Sequence, residues 1–183
     1  MTENFDPITG LDGEDNMGGY KNYVLFIPRY AVSATPKLPT VKATDADYVT
    51  AAGAFTFKDA VNGKPIYIEC TPASVKYSAP SQGEPESQSF APAGEFFRSG
   101  AKKEYATLAR KYNNTPGYLV IENMDGNQMM IGQRGMECVL KFEYDGGQKR
   151  ADKRGLKVSY SCDSLTPIIY LGTPIDIEAL LLP

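Results

Sequence analysis

The sequence predicts a mainly β protein: a β-sandwich or partly closed β-barrel with one flanking α-helix, at about Ser99–Tyr112, and extended arms and loops. Three observations carry this. Short runs rich in Val, Ile, Phe and Tyr recur along the chain, bounded by Gly, Pro, Asn or Asp. Asp125-Gly126 stands between two such runs, and Asp-Gly accepts the positive φ that a tight hairpin demands. Good helical periodicity is confined to a single segment. At 183 residues, with 42% hydrophobic and 22% charged side chains, the chain fits one domain that folds without a staple.

Met1 to Gly19 carries five acidic side chains and four glycines. That composition buries too little apolar area to offset chain entropy, so residues 1–19 are expected to be a mobile N-terminal arm before a single domain spanning 20–183. Tyr20 to Ile27 is an aromatic, β-prone run stopped by Pro28, which cannot donate to a sheet ladder, and is expected to be the first core strand. Ala31 to Asp47 is rich in Pro and Thr. Ala54–Phe57 and Pro65–Cys70 then form two strands joined through a loop containing Asn62-Gly63. Thr71 to Gly94, with the polar stretch Pro80–Glu86, is expected to be a long exposed hairpin or loop.

In Ser99–Tyr112, Ala101, Tyr105, Leu108, Ala109 and Tyr112 share one helical face, with Ser99 as N-cap and Asn113-Asn114 before Pro116-Gly117 as the stop. A lone amphipathic helix needs an apolar surface, so it should cover the sheet. Tyr118–Asn123 and Gln128–Ile131 form the Asp-Gly hairpin. Met136–Tyr144 and Leu156–Ser161 form an antiparallel pair around the glycine-rich, basic loop 145–155. Pro167–Leu171 is the last strand, and the closing leucines either pack on the domain or dock on a neighbour. The total is about eight short strands and one helix.

The chain contains no histidine, which removes the commonest general base and the usual partner of a Ser or Cys nucleophile. The carboxylate pairs Glu84 with Glu86 and Asp45 with Asp47 lie in polar loops where solvated charge is the default, so no catalytic residues are expected. Gly18-Gly19 and Gly146-Gly147 lack the spacing of phosphate or dinucleotide loops, and Asp125-Gly-Asn127 lacks the ligands of a calcium loop. Cys70, Cys138 and Cys162 are isolated in strand-like runs and read as small buried hydrophobes, with no metal or cofactor site. A net charge of −3 gives no basic field for nucleic acid. No apolar run approaches a membrane span and the acidic N-terminus does not look like a secretory signal, so synthesis in a cytoplasm is expected.

The sharpest charge feature is Lys149, Arg150, Lys153 and Arg154. These four are either a solvated tip or a contact with something acidic. The chain offers two such partners: Glu3, Asp6, Asp12, Glu14 and Asp15 of the arm, or Glu84 and Glu86 of an adjacent copy.

The stretch Tyr67 to Tyr170 resembles the tail tube proteins of long-tailed phages and the inner-tube proteins of contractile injection devices. The resemblance lies in a strand, the acidic stretch Gln82–Phe90, the helix through Glu104–Tyr112, the hairpin Tyr118–Gly132 and the closing pair around Asp152–Gly155. It implies a β-sandwich or barrel with a helix at its side and hexameric rings of identical subunits stacked into a tube. It further implies other tail proteins as partners, location in the virion tail, and a channel that passes DNA without binding it tightly. The arm, residues 72–94 and residues 145–155 would be the assembly elements. A Pro/Thr-rich insertion near 31–47 and an aliphatic C-terminus depart from the family's pattern. Rival readings are a head-to-tail connector or tail terminator ring and, from another class, a carbohydrate- or protein-binding β-sandwich module using Tyr20, Tyr23, Tyr30, Phe96 and Phe97.

Overall fold

The computed structural model describes residues 17–39, 48–59, 63–147 and 152–181. Strands β1 (Tyr20–Pro28), β2 (Val32–Ala34), β3 (Thr50–Ala51), β4 (Thr56–Phe57) and β5 (Ile66–Glu69) come first. The middle of the chain supplies β6 (Lys76–Ser78), β7 (Ser81–Gln82), β8 (Ser89–Phe90), β9 (Ala93–Ser99), helix α1 (Lys103–Tyr112) and β10 (Pro116–Asn123). The last third supplies β11 (Gln128–Ile131), β12 (Cys138–Asp145), β13 (Gly155–Ser161), β14 (Tyr170–Leu171) and the short helix α2 (Ile177–Leu181). Among the described residues, ten strands form one sheet in the order β3-β14-β11-β10-β12-β13-β9-β6, with β1 pairing both β10 and β5. The sheet curls into a half-barrel, the partly closed form expected from the sequence.

Sequence pattern explains which strands lie deepest. Val24 to Ile27 and Leu119 to Ile121 are unbroken apolar runs with zero exposure, because both faces of β1 and β10 are covered. One face carries Val24, Phe26, Leu119, Ile121, Met129 and Ile131 into the main core, which α1 flanks with Tyr105, Leu108, Ala109 and Tyr112. The other face carries Leu25, Ile27, Tyr118, Val120 and Met130 into a second core with Phe55, Phe57, Ile175 and Ile177. On β12 and β13 the residues alternate: Cys138, Leu140, Leu156, Val158 and Tyr160 point inward, while Val139, Lys141 and Lys157 are exposed.

The curl is held where the chain leaving β5 meets β9. Thr71 N–H donates to Phe97 O at 2.8 Å, Ser99 N–H donates to Thr71 Oγ1 at 3.0 Å, and Arg98 pairs with Glu69 at 2.9 Å.

Two readings change. Ala93–Ser99, which carried no strand expectation, is a seven-residue strand between β13 and β6. Ser99 therefore ends a strand and is no helix cap; α1 begins at Lys103, with Lys102 as N-cap and no side-chain cap bond. Of the two fates open to the C-terminal segment, packing on its own domain holds for Ile175, Ile177 and Leu180, which join the second core, while Leu181 is exposed. Buried Gln128 clamps it there, donating from Nε2 to Ile175 O at 2.9 Å and accepting from Ile175 N–H at 2.8 Å.

Gly94 is required where β6, β9 and β13 meet. It lies opposite Tyr160, whose ring passes over it so that the hydroxyl donates to Lys76 O at 2.7 Å. A Cβ there would stand 2.1 Å from Lys76 O and 2.4 Å from the Tyr160 hydroxyl oxygen. Gly94→Ala should lower stability by about 1–3 kcal/mol, as overpacking does. A fall in urea midpoint at unchanged slope would register this; an unchanged midpoint would refute it.

Candidate assembly interface

The outward face of β12, β13, β9 and β6 is polar because alternate residues of these strands meet no covering layer. The register aligns Lys141, Ser159, Glu95 and Lys76 across it. Glu95 bridges two cations, at 2.8 Å from Lys76 Nζ and 2.8 Å from Lys157 Nζ. Hydrogen bonds from Lys157 and Lys76 hold its carboxyl down at about 2. Lys157 is correspondingly raised, first by Glu95. Beside this trio a cleft of about 380 Å³ opens between Thr71–Ser74 and the pair Lys153 and Arg154, with Phe97 in its wall. Arg154 Nε donates to the Tyr144 hydroxyl at 3.4 Å.

The structure thus brings Lys153 and Arg154 together with Lys76 and Lys157, two cations that sequence reasoning did not include. Alternation along Leu156-Lys-Val-Ser-Tyr points Lys157 outward, but Lys76 arrives only through pairing across β9. Lys149 and Arg150 lie outside the described residues, as do Glu3, Asp6, Asp12, Glu14, Asp15, Asp45 and Asp47.

Glu84 and Glu86 are exposed at the turn of the β7–β8 hairpin, which runs through Gly83 at φ 101° and Glu86 at φ 69°. The hairpin is anchored to the domain. Phe90 and Ser164 exchange backbone hydrogen bonds of 2.9 Å, and Gln82 Nε2 donates to Asp163 at 2.8 Å. It leaves the sheet at the Ala93 end of β9, whereas Lys153 and Arg154 leave it at the Ser99 end, where Gly155 pairs with Ser99. Six residue steps of extended strand separate these ends by roughly 20 Å. Acidic and basic loops of one chain therefore point to opposite ends of the sheet. Gly19, to which the acidic segment is joined, lies in a cleft with Lys76–Ser78 and Ala93–Glu95.

The aromatics weighed for a binding groove are not gathered into one. Phe96 is buried in the main core, Tyr20 packs against the same core, Tyr23 stacks on Tyr67 at the second, and Tyr30 is 58% exposed. Among the described residues, no group of three or more His, Cys, Asp or Glu side chains could hold a metal, and no helix is long and apolar enough to cross a membrane. Cys70 and Cys138 are buried as expected and Cys162 is half-buried. Cys138 and Cys162 are not isolated: each thiol shifts the other, Cys138 raised and Cys162 lowered. The fold and this face define a mainly β protein with a charged, uncovered sheet surface. No protein-family model, curated protein or solved structure matches the chain.

The Glu95 trio fixes the sign of an acid effect. Its folded carboxyl lies below the ordinary 4.5, so the stabilisation is complete above that pH and is lost as pH falls toward 2. Glu95→Gln should melt lower than wild type above about pH 4.5, with the gap closing between there and pH 2. Melting temperatures across that window check this; a constant gap would contradict it.

Proposed function

We propose that this chain is a structural virion protein of a phage tail, the tail tube subunit, whose copies form rings stacked into a channel for DNA. The observation that carries the reading is the separation of Glu84 and Glu86 from Lys153 and Arg154 at opposite ends of the same strands. Glu84 and Glu86 are kept from Lys153 and Arg154 of their own chain and are free to meet those of a second copy. Such a heterologous contact closes into rings or propagates as a filament. The half-barrel with a flanking helix suits the resemblance, and a net charge of −3 suits a passage for DNA that must not hold it. Negative-stain microscopy of the concentrated protein tests this: rings or tubes are the expected result, and a monodisperse monomer at every concentration and salt level would overturn it.

A further inference from the structure

We propose that Cys138 and Cys162 form an oxidisable dithiol that a hydroperoxide converts into a disulfide across β12 and β13. The inference rests on sheet register and is independent of the assembly reading.

Val139 stands opposite Ser161 and Leu140 opposite Tyr160. One further antiparallel step sets Cys138 opposite Cys162. The Cys162 N–H donates away from β12, to Pro92 O on the β9 side at 3.0 Å. The facing cysteines are therefore a non-hydrogen-bonded pair, the kind whose Cα atoms lie about 4.5 Å apart with side chains closest. That separation falls within the range of about 4.4–6.8 Å that disulfides span. Both side chains lie on the inward face, Cys138 fully buried and Cys162 packed against the same core.

The two thiols have different environments. Cys162 is only partly buried and its thiolate is favoured, first by the neighbouring Cys138 thiol and also by the Gly132 backbone, against burial and Asp163. The Cys138 thiol is pushed up, first by Cys162 and then by burial. This is the arrangement of a less buried thiolate beside a fully buried resolving thiol.

The steps balance. The Cys162 thiolate attacks one peroxide oxygen, the O–O bond breaks, and the leaving oxygen takes a proton, giving a sulfenic acid. The Cys138 sulfur then displaces the sulfenic oxygen, which departs as water with the Cys138 proton. The two electrons lost by the sulfurs reduce the peroxide. Cys70 is buried, with its thiol raised by desolvation and its S–H donated to Ile68 O, and takes no part.

Treating the folded full chain with hydrogen peroxide, then denaturing under an alkylating agent, should reduce the free thiols from three to one. Peptide mapping should find Cys138 joined to Cys162, reversibly by dithiothreitol. Cys70→Ser should form the same link. Cys138→Ser should accumulate a dimedone adduct at Cys162 several-fold above wild type. Retention of all three thiols, a link that includes Cys70, or equal dimedone labelling with and without Cys138 would each overturn the proposal. The mapping of the wild-type chain decides the matter even if a variant fails to fold.

Discussion

Phe26→Ala is expected to lower the stability of the protein by about 3–5 kcal/mol, the range for deleting a buried aromatic ring. Phe26 has no exposure. Its ring meets Tyr112 of α1 edge-on, with centroids 5.6 Å apart and planes at 75°. It can do so because Gly117 on the neighbouring strand has no side chain; a Cβ there would stand 2.6 Å from the Phe26 ring. The ring therefore links β1, β10 and the helix, and its removal leaves a cavity between them. The helix should loosen together with the sheet. Urea unfolding followed at far-ultraviolet wavelengths and by tyrosine fluorescence should show one shifted transition with both probes. A loss below about 1 kcal/mol would mean that the core collapses around the gap. Phe26→Leu, which keeps most of the apolar volume, should recover the larger part of the deficit.

The sequence made the deep strands legible because burial leaves a mark in residue type. Tyr-Val-Leu-Phe-Ile and Tyr-Leu-Val-Ile are apolar without alternation, as strands covered on both faces must be, and Cys-Val-Leu-Lys-Phe-Glu alternates because only one face of β12 is covered. The Asp125-Gly126 hairpin was legible for a conformational reason, and Gly126 has φ 87°. β9 was not legible. Glu95 and Arg98 flank two adjacent phenylalanines, so the strand shows neither a clean alternation nor an apolar run, and it exists because β13 and β6 pair with it on either side. Missing β9 also misplaced the start of the helix, since Ser99 has the chemistry of a cap and the position of a strand end.

The candidate interface was legible only as charge in a loop. Lys153 and Arg154 stand out in a line of text, but Lys76 is more than seventy positions away and reaches them through strand pairing. The same holds for Cys138 and Cys162. Each looked like a solitary hydrophobe within its own run, and only the register of β12 against β13 makes them neighbours. Contacts between distant strands are not encoded by local pattern, whereas the identity of the strands largely is.

The largest effect on assembly is expected from reversing the basic end: Lys153→Glu with Arg154→Glu should abolish ring or tube formation while leaving the monomer's melting temperature nearly unchanged. Both side chains are exposed, and exposed charges contribute only about 0–1 kcal/mol per pair to the fold. A contact repeated at every subunit junction multiplies that small term, and reversal replaces attraction by repulsion at each junction. Raising salt in the wild type should weaken assembly in the same direction, because screening shortens the reach of exposed charges. The partner surface can then be identified by compensation. Glu84→Lys with Glu86→Lys, added to the reversed basic end, restores assembly if the β7–β8 hairpin of the adjacent copy is the partner. Reversal of Glu3, Asp6, Asp12, Glu14 and Asp15 restores it if the acidic arm is. Sedimentation velocity on the wild type, the reversed pair and both compensated variants, at low and high salt, separates these outcomes. If the reversed pair assembles as well as wild type at both salt levels, the basic loop is a solvated tip and takes no part in assembly.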